Sequence, residues 1–117
     1  MGKPNIIKDK SYKFSLSIIA MCSALRKNNE FEISKQLFKA GTSIGANVEE
    51  EIAGQSKRDF AAKMSIALKE AREADYWLRL LRDSGLRSDG KIEMLLDESG
   101  QIRSILGKIV KTTKENL

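Results

Sequence analysis

The chain contains no histidine. That absence removes Ser-His and Cys-His nucleophile pairs, imidazole acid–base chemistry and the Glu-x-x-His ligand pairs of di-iron helical bundles. Cys22 is the single cysteine, so no intramolecular disulfide can form and a reducing cytoplasm is the expected setting. The thiol is expected as a small core residue. Pro4 is the single proline, and nothing downstream of it interrupts a helix. Seven aromatic residues leave the core mainly to Leu, Ile, Ala and Met. No stretch reaches the ~20 apolar residues needed to cross a bilayer, so no membrane partner is expected.

Targeting signals are imitated only faintly. Lys3, Lys8, Lys10 and Lys13 precede the uncharged run Phe14 to Leu25, but Ser15, Ser17 and Ser23 dilute that run. Met21 is too large a residue ahead of Cys22 for a lipoprotein signal, and Ile6 stands where myristoylation prefers Ser or Thr. The segment reads as a helix. Nor is there a nucleotide-binding loop, because Gly41 to Gly45 lacks the lysine and the preceding strand. Glu70 and Glu73 are the one pair imaginable as a carboxylate metal site. Lysines on the neighbouring helix supply no further ligands, so they read as surface acids, and no metal, cofactor or catalytic residue is expected.

What is present is helical periodicity. Phe60, Met64, Ala67, Ala71, Ala74, Leu78 and Leu81 alternate spacings of four and three, which keeps one seam facing a partner helix. Ser56 is its predicted N-cap, accepting from the Asp59 N–H, and Gly85 its predicted stop. Ile33, Leu37, Gly41, Ile44, Val48 and Ile52 form a second seam. Gly41 and Gly45 inside it each cost about 1 kcal/mol relative to alanine. Together with Ser43 they predict close approach of another helix, the alternative being a loop over Ala40 to Gly45.

The remaining two helices follow from similar patterns. One stripe of Tyr12, Leu16, Ile19 and Cys22 or Ser23 adjoins another of Phe14, Ile18, Met21 and Leu25, a wide apolar face expected to be covered on two sides. The last helix, capped by Ser88 or Asp89, carries Ile92, Leu95, Ser99, Ile102, Leu106, Ile109 and Thr113. The expectation is one all-α domain, an antiparallel up-down-up-down four-helix bundle. Helices are expected at about 10–27, 31–53, 56–84 and 88–115, behind a flexible N-terminal stretch 1–9, with short turns at Asn28-Asn29, Gly54-Gln55 and 84–87. Pairing about Gly54 brings Lys39 near Glu70 and Lys35 near Glu73.

The run Gln36-Leu37-Phe38-Lys39-Ala40-Gly41-Thr42-Ser43-Ile44-Gly45-Ala46-Asn47-Val48-Glu49-Glu50, followed by Ser56-Lys57-Arg58-Asp59-Phe60 and by Ile66 to Leu78, resembles a known bacterial family. That family is the four-helix-bundle 23S ribosomal RNA intervening-sequence protein, related to the accessory variability determinant of diversity-generating retroelements. The resemblance implies a small basic bundle assembling as a ring-like homopentamer, with nucleic-acid binding in some members. It implies no catalytic motif. Glu49-Glu50-Glu51 and the charged Lys69 to Glu73 depart from the commoner pattern.

Two surface features concern partners. At about 100° per residue, Ile66, Glu73, Trp77 and Leu80 fall on a strip away from the seam of their helix, forming a candidate oligomer interface. Either a second subunit covers this strip or the seam is wide enough to take in Trp77. The second feature is charge, with 21 Lys and Arg against 16 Asp and Glu, a net +5. Arg58, Lys69, Arg72 and Arg79, with Tyr76 among them, line a third strip, and Lys108, Lys111 and Lys114 add a smaller set. These seven cations are the candidate nucleic-acid contacts, by replacement of counterions along phosphates. A solvated helix face is the simpler account for one subunit, whereas five copies would carry roughly +25 and favour binding.

The expected function is therefore non-enzymatic: a cytoplasmic, self-assembling bundle that binds RNA or DNA through phosphate contacts. The alternative is an oligomeric scaffold for a protein partner such as a reverse transcriptase.

Overall fold

A computed structural model describes residues 5–52, 56–87 and 89–117, most of them in four α-helices. The expected Gly54-Gln55 turn, Ala53, the alternative cap Ser88 and the first four residues of the N-terminal stretch lie outside the described residues.

Helix α1 spans Ile6–Lys27 and begins four residues before the predicted start. Asn5 is the reason. Its side-chain oxygen accepts from the Lys8 N–H at 3.0 Å, and Asp9 adds a negative charge to the first turn, so residues 6–9 are helix and not flexible chain. The α1–α2 turn closes with the Glu30 N–H on the Leu25 carbonyl at 2.9 Å. Asn29 takes φ 64 there, a left-handed conformation that asparagine tolerates.

Helix α2, Phe31–Ile52, runs unbroken through Gly41 and Gly45. A Cβ on Gly41 would stand 2.7 Å from Ile18 Cγ1, and one on Gly45 3.4 Å from the Ser11 backbone oxygen. The helix that approaches is therefore α1, and it is the missing side chain of Gly41 that admits it, since a Cβ on Gly45 would make ordinary contact. Helix α3, Lys57–Asp83, starts as expected, with the Ser56 hydroxyl accepting from the Asp59 N–H at 3.1 Å. Gly85 then turns the chain at φ 80. Helix α4, Gly90–Glu115, is capped by Asp89, whose carboxylate accepts from the Lys91 and Ile92 N–H groups at 3.1 and 3.4 Å.

Each helix packs on its sequence neighbours, and α1 also meets α4, which makes a square. Cross-helix pairs give the directions. Cys22 meets Ser34, Glu50 pairs with Lys63, Asp75 meets Ser99, and Lys10 Nζ donates to Gln101 Oε1 at 2.6 Å. On α1 and α2, Cys22 opposite Ser34, Ile18 opposite Gly41 and Ser11 opposite Gly45 run in opposite senses, and short connections between helices packed side by side make the remaining neighbours antiparallel as well.

Three seams are buried as expected. Met64, Ala67, Ala71, Ala74, Leu78 and Leu81 of α3 meet Leu37, Ile44 and Val48 of α2 and Ile92, Leu95, Ile102 and Leu106 of α4. In α1 the Phe14, Ile18, Met21 and Leu25 stripe is covered, together with Cys22 at the end of the other, while Tyr12, Leu16 and Ile19 of that other stripe are exposed. The expectation of cover on both sides is corrected here. α1 has only α2 and α4 beside it, and this stripe lies beyond the edge where α2 reaches. Cys22 is fully buried and donates its S–H to the Ser34 carbonyl at 3.4 Å, and burial raises its thiol pKa.

Candidate functional site

A buried carboxylate ties α3 to α4. Asp75 is almost covered, and one of its oxygens accepts from Arg79 Nε at 3.0 Å, one helical turn on. Its other oxygen accepts from the Ser99 hydroxyl at 3.4 Å and lies 3.6 Å from Arg103 Nη2, both on α4. A buried carboxylate unpaired with any cation would be costly, and two guanidinium groups and a hydroxyl offset the loss of water. Asp75, Ser99 and Arg103 do not stand out in the sequence as a site. The available signal is Ser99, a polar residue in the middle of an apolar seam, which calls for a polar partner on the facing helix.

This cluster sets the register between the two helices. Because Asp75 lies level with Ser99 and Arg103, antiparallel travel toward the start of α3 brings Arg72 and Lys69 level with Arg103 to Lys108, and Ser65 level with Lys111. At about 100° per residue, Arg72 falls between the α4-facing side of α3 and its outermost line and Lys69 near that outermost line, while Lys114 and Lys111 fall on the α3 side of α4 and Lys108 beyond it. All are exposed, and none forms an ion pair among the described residues. The same is true of Arg58, in the first turn of α3 at the far end of the strip.

Arg79 is the exception in the expected set. Asp75 neutralises it, and its guanidinium carbon lies over the Tyr76 ring, 5.7 Å from the centroid. Tyr76 in turn sets its ring at 69° to that of Trp77, with centroids 5.3 Å apart. Toward the α3–α4 connection Asp83 is paired with Arg82, and the acids Glu93 and Asp97 stand exposed on α4. The cationic half of the face is the half remote from that connection.

The other expected strip lies on the α2 side of α3. Ile66 is 42 % exposed and Leu80 37 %, while Glu73 is half-buried. Trp77 is also half-buried, packs against the core, and keeps its indole N–H buried with no acceptor. Nearby, burial and then the adjacent Glu73 carboxylate push the Glu70 pKa up, opposed by Lys69 and by Lys39 across on α2. Among the described residues, no group of three or more Cys, Asp or Glu side chains converges as metal ligands would.

Four helices in a small, net basic bundle, its core closed by alanine, leucine and isoleucine, define the class as a compact all-α helical bundle. Within that class the chain belongs to the 23S rRNA-intervening sequence protein family, which residues 3–108 match. It is similar to a solved structure from Bacteroides thetaiotaomicron, a protein of unknown function from the S23 ribosomal protein family. The two share 40 % identity with a TM-score of 0.85, over 90 % of this chain and 98 % of that one. No curated protein matches the chain. No helix among the described residues is long and apolar enough to cross a membrane.

Proposed function

We propose that this chain is a non-enzymatic, cytoplasmic, self-assembling bundle that binds RNA or DNA mainly through phosphate contacts. The observation that carries the reading is the shared outer face of α3 and α4. There Lys69 and Arg72 run alongside the 103–108 stretch of α4, with Lys108 at the edge of the face and Lys111 further on, level with Ser65, and none of the four forms an ion pair among the described residues. A row of unneutralised cations with that spacing displaces counterions from a phosphate backbone, and no base-reading motif accompanies it. Assembly, as a homopentamer by resemblance, would multiply the charge. The Ile66, Glu73, Trp77 and Leu80 strip is one surface offered for it.

A salt series on a labelled RNA or DNA fragment tests the reading. Binding should weaken steeply with salt, and exchanging Lys69, Arg72, Lys108 and Lys111 for alanine should lower the log–log slope by about 0.7–0.9 for each phosphate that is no longer neutralised. Unchanged binding by that quadruple variant would overturn the assignment of the face.

A second reading is supported by the exposed α1 stripe of Tyr12, Leu16 and Ile19, three large apolar side chains in a row. On that reading the bundle is an oligomeric scaffold for a protein such as a reverse transcriptase, and the charge serves only solubility. Absence of binding to either nucleic acid at low salt would favour it.

A further inference from the structure

Tyr76 stands in the cationic face without belonging to its electrostatics. It is 47 % exposed, on the side of α3 turned away from the core. Yet the ring is held. Its edge contact with Trp77 fixes one flank, and Arg79, itself tied at 3.0 Å to the buried Asp75, lies over the ring. On the facing helix Gly100 is level with it, and a Cβ there would meet only the tip of Arg103, at 3.9 Å. No side chain of α4 therefore rises from that position to cover the ring.

We infer that Tyr76 is a base-stacking platform, and that the α3–α4 face takes single-stranded RNA or DNA in preference to duplex. This rests on the nucleic-acid reading given above. In a duplex the faces of the bases are stacked on one another, so a surface ring gains nothing from them. In a single strand every base offers a free face, and an aromatic ring beside a row of cations is the arrangement that holds such strands. The ring's prior immobilisation by Trp77 and Arg79 lowers the ordering cost of binding. The phosphates on either side of the stacked base would then run along Arg72 and Lys69 toward Lys108 and Lys111. Glu93 and Asp97 disfavour the opposite direction.

The test compares short labelled oligo(U), oligo(dT) and a duplex of equal length, by anisotropy, with Tyr76→Ala and Tyr76→Phe variants. Tyr76→Ala should weaken single-strand binding about tenfold or more and leave duplex binding within about twofold, and Tyr76→Phe should retain most of the single-strand affinity. The fluorescence of Trp77, the sole tryptophan, should change on binding of the oligonucleotides and not of the duplex. Equal affinities of Tyr76→Ala and the parent for oligo(U) and oligo(dT), or equal losses for strand and duplex, would overturn the stacking role while the phosphate reading stands. If none of the three probes binds at low salt, both fall together. Tyr76 lies outside the core cluster, so helix content by circular dichroism should be unchanged in either variant.

Discussion

At the scale of single residues, burial explains more than charge does. Cys22 sits in the core as its sequence setting predicts, and there its S–H finds the Ser34 carbonyl while the Ser34 hydroxyl donates back to the Cys22 carbonyl at 3.2 Å. The pair satisfies two side chains with no water and no second thiol. Glu70 is the opposite case. Burial and the Glu73 carboxylate raise its pKa above the ordinary 4.5, so the native state holds its proton more tightly than the unfolded chain does. The stability this supplies is complete below pH about 4.5 and is lost as pH rises through the native value. Glu70→Gln should accordingly melt later than the parent at pH 7, by the equivalent of a few tenths of a kcal/mol, and the gain should vanish in acid. Thermal melts at the two pH values check the sign, since a variant less stable at pH 7 would mean that Lys39 and Lys69 outweigh burial.

At the scale of the helices, caps and spacings are legible because each is a local matter. Ser56, Asp89 and Gly85 act within one turn of their own position, and the seams of α2, α3 and α4 need only the period of the helix. Asn5 is the same kind of signal yet escapes a reading by periodicity, because the buried stripe that starts at Ile7 is interrupted by the polar Ser11 before it resumes at Phe14. The two glycines of α2 look alike in sequence and differ in space. Gly41→Ala drives a methyl to within 2.8 Å of two carbons of the fully buried Ile18 and should destabilise the fold by about 1–2 kcal/mol. Gly45→Ala meets its nearest atoms at 3.4 Å, and the gain in helix propensity should leave it neutral or up to about 1 kcal/mol more stable. Chemical denaturation of the two variants side by side measures the difference, and equal effects would mean that α1 is not seated on α2 at this point.

At the scale of the whole molecule, exposed apolar surface and charge both point outward to partners. Tyr12, Leu16 and Ile19 on α1, and Ile66 and Leu80 on α3, lie on different sides of the bundle. Two separate apolar strips suit an assembly in which each subunit meets two neighbours through unlike surfaces, as a ring requires. The expected outcome of sedimentation or light scattering is a mass several times 13.1 kDa, reduced when Leu16→Glu or Ile66→Glu is introduced. A parent that remains at 13.1 kDa at high concentration would leave the cationic face to act alone at +5.

From its residues alone the chain is readable as four amphipathic helices with their caps, turns and antiparallel order, since those follow from periodicity and from connections too short for any other path. Which cations share a face is not readable. That depends on the α3–α4 register, set by Asp75 reaching Ser99 and Arg103 across 24 and 28 positions of sequence. Likewise two stripes of α1 are equally apolar, and only the position of α2, drawn close at Gly41, decides which of them is buried. A helix announces its period in its own sequence, but the side on which a neighbour settles is fixed by packing between segments.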